Sequence, residues 1–148
     1  MLSRLLQRQT GWIVRDAEDK DRLASSTVYL APAGYHLLVE EAGHLALSTE
    51  GPVRFARPSI DVLFESAAAA YRTGVVGVVL TGTNDDGAAG LAAIVARGGH
   101  AVVQDPATAE RPAMPLAALA TGINAAVLPL DDIGPYIGRL CSTEAIPA

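Results

Sequence analysis

Residues 75–80, Val-Val-Gly-Val-Val-Leu, form a nearly unbroken apolar run, followed by Thr81-Gly82-Thr83-Asn84-Asp85-Asp86-Gly87 and an alanine-rich stretch that ends at Gly98-Gly99. A strand of this composition has no polar face to show to water. It has to be covered on both sides, as a strand inside a parallel sheet is covered by helices. The alanine-rich stretch predicts a helix over residues 86–97, and residues 101–104 predict the next strand. A short helix over 115–121, a strand over 125–128 and a helix over 131–140, whose early acids suit its N-terminal dipole, continue the alternation. Alternating strands and helices imply right-handed βαβ units, so the fold class expected is α/β, a doubly wound parallel sheet in three layers.

The first half reads differently. Leu2, Leu5 and Leu6 at helical spacing before Gly11 predict a short amphipathic helix, residues 13–26 read as polar and turn-like, and residues 27–31 predict a strand ended by Pro32. Two alternating arms around Gly43, residues 36–40 and 44–48, predict a β-hairpin inserted in the sheet topology. Ile60, Leu63, Phe64, Ala67 and Ala68 then mark an amphipathic helix with Ser59 at its start and Gly74 as its stop. With half of its 148 residues hydrophobic and no low-complexity linker or internal repeat, the chain is expected to be one domain over residues 1–148.

Charge excludes one large class of function. The formal net charge is -5, and the eleven basic residues are scattered singly, so there is no electrostatic footprint for nucleic acid. The single cysteine, Cys141, rules out an internal disulfide and a cysteine-only metal cluster, and fits a reducing compartment. No apolar run approaches the roughly 20 residues of a membrane-spanning helix, so no membrane insertion is expected and cytoplasm is the default location.

Residues 81–87 lie where a parallel sheet collects its functional groups, at the carboxyl end of a strand. The plainest role for Asp86, next to Gly87, is to cap the helix that follows. Gly82 and Gly87 have the spacing of a phosphate-binding loop, but Ala88 and Ala89 stand where that loop needs Lys and Ser or Thr, and its own acids would repel phosphate. Adjacent carboxylates point in alternating directions and no third ligand is close in sequence, so no metal site is assigned and no cofactor is implied. A carboxylate at a strand exit also suits the orienting member of a Ser-His-Asp triad. None of the seven serines sits in a glycine-flanked strand-to-helix turn. Of the three histidines, His100 falls at the amino edge of the sheet, His44 at the hairpin turn, and His36 on the side where it is either a cleft residue or a structural one.

From about residue 12 onward the chain resembles the catalytic domain of CheB-type chemotaxis methylesterases. The stretches that carry the resemblance are residues 17–39 (AEDKDRLASSTVYLAPAGYHLLV), 57–68 (RPSIDVLFESAA), 75–91 (VVGVVLTGTNDDGAAGL), 98–109 (GGHAVVQDPATA), 113–122 (AMPLAALATG) and 127–133 (VLPLDDI). The resemblance implies a serine hydrolase that removes methyl groups from glutamyl γ-methyl esters on methyl-accepting chemotaxis receptors. Many members also deamidate receptor glutamines. The family's LTG-x-x-x-DG pattern falls on Leu80, Thr81, Gly82, Asp86 and Gly87, which makes Asp86 the catalytic carboxylate and Asp85 its variable neighbour. Thr83 stands where the family has a Met associated with oxyanion stabilisation through a backbone N–H, a role that does not depend on the side chain. Met114-Pro115 and Arg57-Pro58 resemble segments expected near the cleft, against the plainer readings of core packing and a solvated arginine.

The family's Gly-Ala-Ser-Thr-Gly-Gly turn, with the nucleophilic serine, and its Gln-His-Met-Pro segment, with the histidine, do not occur in this sequence. Residues 1–11 resemble the helix after that histidine, so the chain is expected to begin inside the domain and to lack its first strands, as well as a receiver domain. Open strand edges and exposed apolar surface then predict self-association. Three readings follow: an ester hydrolase whose remaining triad members lie elsewhere, an inactive receptor-binding module, and a small-ligand or metal-binding domain using Asp85 and Asp86.

Overall fold

A computed structural model describes residues 1–145. Helix α1 (Leu2–Gln7) leads into strand β1 (Ile13–Asp16), followed by β2 (Thr27–Leu30), β3 (His36–Glu40) and β4 (His44–Ser48). Then come α2 (Ile60–Tyr71), β5 (Val76–Val79), α3 (Ala88–Ala96), β6 (His100–Gln104), α4 (Ala113–Ala120), β7 (Ala126–Leu128) and α5 (Leu130–Ala145).

Strands β5, β6 and β7 pair in parallel in that order, with Val76 opposite His100 and Val102 opposite Ala126. The βαβ reading of the second half therefore holds. The apolar run is buried on one face only: Gly77 and Val79 are buried, with Val79 packing with Leu91 and Ile94 of α3, Val103 of β6 and Ala118 of α4, whereas Val76 and Val78 are partly buried and Leu80 is exposed, so the expected cover on both sides is corrected. Complete burial of such side chains contributes about 1.5–3 kcal/mol each.

Strands β1 and β2 also pair in parallel, as a separate two-stranded sheet, and β3 and β4 form the expected antiparallel hairpin, with Gly43 at φ +81° in its turn. The polar, turn-like reading of residues 13–26 is corrected at its start, where Ile13–Asp16 is a strand. Only Val14 of that strand is buried, so no alternation marks it; the strand exists because it pairs with β2. Among the described residues the parallel strands thus form two pieces, not one continuous sheet. Helix α2 joins them. Its Leu63 packs on the cluster of Ala17, Leu37 and Leu45, and its Phe64 packs on the cluster around Val79.

The N-terminal part leaves Leu2, Leu5, Trp12 and Ile13 each more than half exposed. No helix among the described residues is long and apolar enough to cross a membrane.

Candidate functional site

Strand β5 ends at Val79, and residues 81–87 cross the carboxyl edge of the three-stranded sheet before α3 begins. The start of this loop is fastened to the segment before α4. Thr81 Oγ1 accepts from Arg111 N at 2.7 Å, Gly82 N donates to Arg111 O at 2.9 Å, and Met114 N donates to Gly82 O at 3.1 Å. Thr81 N donates to Oε1 of the buried Gln104 at 3.0 Å. Met114 lies on Gly82: a Cβ there would come within 2.6 Å of Met114 Cε, so a side chain at residue 82 requires Met114 to shift. Met114 and Gly82, far apart in sequence, are brought together here.

The end of the loop is fastened to α2. Asp86 is 3% exposed. Its Oδ1 accepts from Ser59 Oγ at 2.9 Å and from Asp61 N at 3.0 Å, and its Oδ2 accepts from Ile60 N at 2.7 Å. These are a hydroxyl and two amides at the N-terminus of α2, where orphan donors and the positive end of the helix dipole favour a carboxylate. The expectation that Asp86 caps the helix after it is therefore corrected: it caps α2. The reason is backbone geometry. Gly87, the N-cap of α3, has φ +104°. That left-handed turn is open to glycine, and a Cβ at this position would sit 3.2 Å from Ile60 Cγ2. Helix α3 takes its cap from α2 in return, because Asp61 Oδ1 accepts from Gly87 N at 2.9 Å and from Gly90 N at 2.7 Å.

Asn84 Oδ1 accepts from Asp86 N at 3.0 Å, which closes the turn from within. Asp85 points the other way, is half exposed and pairs with Arg54, whose Nε also lies 3.8 Å from Asp61 Oδ2. Thr83 is exposed at the crest of the loop. The two adjacent carboxylates thus diverge and do not converge on a common point. Among the described residues no group of three or more His, Cys, Asp or Glu side chains is arranged to hold a metal ion.

The remaining candidates fall as follows. His36 is 2% exposed, and both ring nitrogens are engaged: Nδ1 accepts from Ser59 N at 3.2 Å, so Nε2 carries the proton and donates to Gly51 O at 2.9 Å. His36 is thus a buried prop of Ser59. Arg57 donates from Nη1 to the carbonyls of Thr49 and Glu50 at 3.1 and 3.2 Å, so it braces the chain entering α2, and the Arg57-Pro58 peptide bond is cis. His100 opens β6 opposite Val76, at the end of the sheet away from Asp86.

Ser59 was legible only as a helix start, and Asp61 and Arg54 gave no functional signal in the sequence. An Asp in the first turn of a helix ordinarily signals nothing more than a favourable dipole. Its use as the cap of a different helix depends on how α2 and α3 pack.

A family model described as CheB methylesterase matches residues 1–137. The chain belongs to the CheB methylesterase family. A relative in Leptospira interrogans is 46% identical over 138 residues, which is 93% of this chain and 71% of that protein. The protein-glutamate methylesterase/protein-glutamine glutaminase 1 of Paramagnetospirillum magneticum is 39% identical over 145 residues, 96% of this chain and 38% of that protein. The crystal structure of the Thermotoga maritima CheB methylesterase catalytic domain superposes with a TM-score of 0.89 at 27% identity, covering 94% of this chain and 75% of that one. The α/β arrangement of parallel strands and helices in this chain matches the fold of that catalytic domain.

Proposed function

We propose that this chain belongs to a carboxylic-ester hydrolase that demethylates glutamyl γ-methyl esters, and deamidates glutamines, on methyl-accepting chemoreceptors, with Asp86 as the carboxylate that orients a histidine. The observation that carries this is the state of the Asp86 carboxylate. A carboxylate offers about four acceptor positions. Three are filled by Ser59, Ile60 and Asp61, two of them on Oδ1, so Oδ2 keeps one for an imidazole N–H. A side chain pinned in this way has one orientation, which is what an orienting carboxylate needs in order to hold an imidazole in a single tautomer. The Thr83 backbone N–H, at the crest of the same loop, is the oxyanion donor in this reading. The histidine would take the proton of the attacking serine hydroxyl and return it to methanol or ammonia as the leaving group departs; water then releases the glutamate.

One observation favours the second reading, a receptor-binding module without chemistry. Among the described residues no histidine addresses Asp86, since His36 has both nitrogens committed and His100 lies at the other end of the sheet. The serine that does touch Asp86, Ser59, is buried and donates its proton to that carboxylate. A triad lacking its serine or histidine loses on the order of a millionfold in turnover.

Methanol release from a methylated receptor fragment decides between the two. The hydrolase reading expects release that falls at least about a thousandfold in Asp86→Asn. Receptor binding with no release supports the binding module, and neither binding nor release sinks both.

A further inference from the structure

Ser59 is 2% exposed, and its backbone N–H, carbonyl and hydroxyl are all engaged. Its N donates to His36 Nδ1 at 3.2 Å, its carbonyl accepts from Leu63 N at 3.3 Å, and its Oγ accepts from Val62 N at 3.5 Å. The hydroxyl proton goes to Asp86 Oδ1 at 2.9 Å. A helix cap uses a serine as an acceptor, and the bond from Val62 N does that. Capping does not need the proton. Nor does α2 need it on Asp86, whose carboxylate already takes the Ile60 and Asp61 amides. The bond from Ser59 to Asp86 therefore serves something other than the start of the helix.

The way Ser59 is held points in the same direction. In a capping box the N–H of the cap residue is taken by a Glu or Gln three residues further on. Here that position is Val62, which has no side-chain acceptor. The acceptor comes instead from His36 at the start of β3, anchored through Nε2 to Gly51 O at 2.9 Å. A glutamate at position 62 would set a second carboxylate within reach of the Ser59 proton. An imidazole nitrogen fastens the same amide and leaves the proton to Asp86.

The effect is felt on Asp86. Each oxygen of a carboxylate offers about two acceptor positions. Ser59 Oγ and Asp61 N fill those of Oδ1, and Ile60 N fills one on Oδ2. Without the Ser59 hydroxyl each oxygen has a position open, so an imidazole N–H can settle on either and its ring takes two orientations. We propose that Ser59, held by His36, is a positioning residue of the hydrolase: its hydroxyl closes Oδ1 and leaves Oδ2 as the one oxygen that addresses the catalytic imidazole. This inference rests on the proposed function.

Methanol release from the methylated receptor fragment, resolved into kcat and KM, tests this on three variants. Ser59→Gly keeps an acceptable helix cap without a hydroxyl, Ser59→Ala loses both, and Ser59→Thr keeps both. The methyl group that threonine adds has room in an apolar cavity of about 120 Å³ lined by Ser59, Leu37 and Leu63. Ser59→Gly and Ser59→Ala should lower kcat by about tenfold to a hundredfold with KM within about twofold, and Ser59→Thr should stay within about threefold of wild type. NMR reads the position of the carboxylate without turnover, through the scalar couplings that cross the hydrogen bonds from the Ile60 and Asp61 amides to the Asp86 carboxyl carbon. These couplings should change in Ser59→Gly and return in Ser59→Thr, which a loss of stability alone does not produce. An unchanged kcat in Ser59→Gly, beside an active wild type, overturns the positioning role and leaves the hydrolase reading standing. A fall in kcat with both couplings intact overturns it as well, since Asp86 has then not moved. A wild type that releases no methanol removes the hydrolase reading and this inference with it.

Discussion

Asp61 and Asp86 cap each other's helices: the Asp86 carboxylate takes the amides of Ile60 and Asp61 at the start of α2, and the Asp61 carboxylate takes those of Gly87 and Gly90 at the start of α3. Both side chains are at least 95% buried, and each satisfies donors that would otherwise be orphaned in the interior. The loop that carries the candidate catalytic carboxylate is thus part of the joint between two helices, and what fixes the joint fixes Asp86.

A double-mutant cycle tests that coupling. Asp61→Ala and Asp86→Ala should each cost about 2–4 kcal/mol, a lost cap plus unsatisfied buried amides. Their combination should cost less than the sum by at least about 1 kcal/mol, because either change alone already loosens the joint. Urea unfolding measures all three, and strict additivity would show two independent caps.

Gly87 should not tolerate alanine. The left-handed φ and the 3.2 Å approach to Ile60 together predict a loss of about 1–3 kcal/mol in Gly87→Ala, read by thermal or urea unfolding. A neutral result would mean that the turn relaxes without moving Asp86.

Gly82 and Met114 should be coupled in the same sense. Gly82→Ala places a methyl group 2.6 Å from Met114 Cε and should cost about 1–2 kcal/mol. In a Met114→Ala background the same change should cost less than about 0.5 kcal/mol, since the obstructing side chain is gone. Equal costs in both backgrounds would place the strain in the backbone of the loop.

The His36 imidazole should carry its ring proton on Nε2, because Nδ1 accepts from Ser59 N. Nitrogen-15 NMR of the ring distinguishes the tautomers directly, and a proton on Nδ1 would contradict the bond from Ser59 N. His36→Ala should reduce stability by about 1–3 kcal/mol by leaving the Ser59 amide without its acceptor.

We expect self-association through the N-terminal surface. Trp12 and Ile13 are more than half exposed beside a two-stranded sheet whose outer edges are open among the described residues. Sedimentation velocity should show concentration-dependent association that weakens in Ile13→Lys; a strictly monomeric chain would count against it.

Local chemistry was enough to locate much of this structure. The apolar run before Thr81 marked a strand of the parallel sheet, the two alternating arms around Gly43 announced the hairpin, and Ser59 marked the start of α2, because each of these depends on a composition, a period or a cap that a few consecutive residues carry. Strand β1 was not legible, since it shows only one buried residue and owes its existence to pairing with β2.

The sequence by itself determined the α/β class, the loop at the carboxyl edge and, through motif resemblance, the family, and it singled out Asp86 as the candidate carboxylate. The tertiary structure alone decided what Asp86 touches. A hydrogen bond to the next helix and one to a helix 26 residues earlier are equally available to an aspartate at position 86 until the left-handed turn at Gly87 and the packing of α2 on α3 select between them. Long-range partners of this kind leave no periodic trace in a sequence, because they are set by where packed elements meet and not by spacing along the chain.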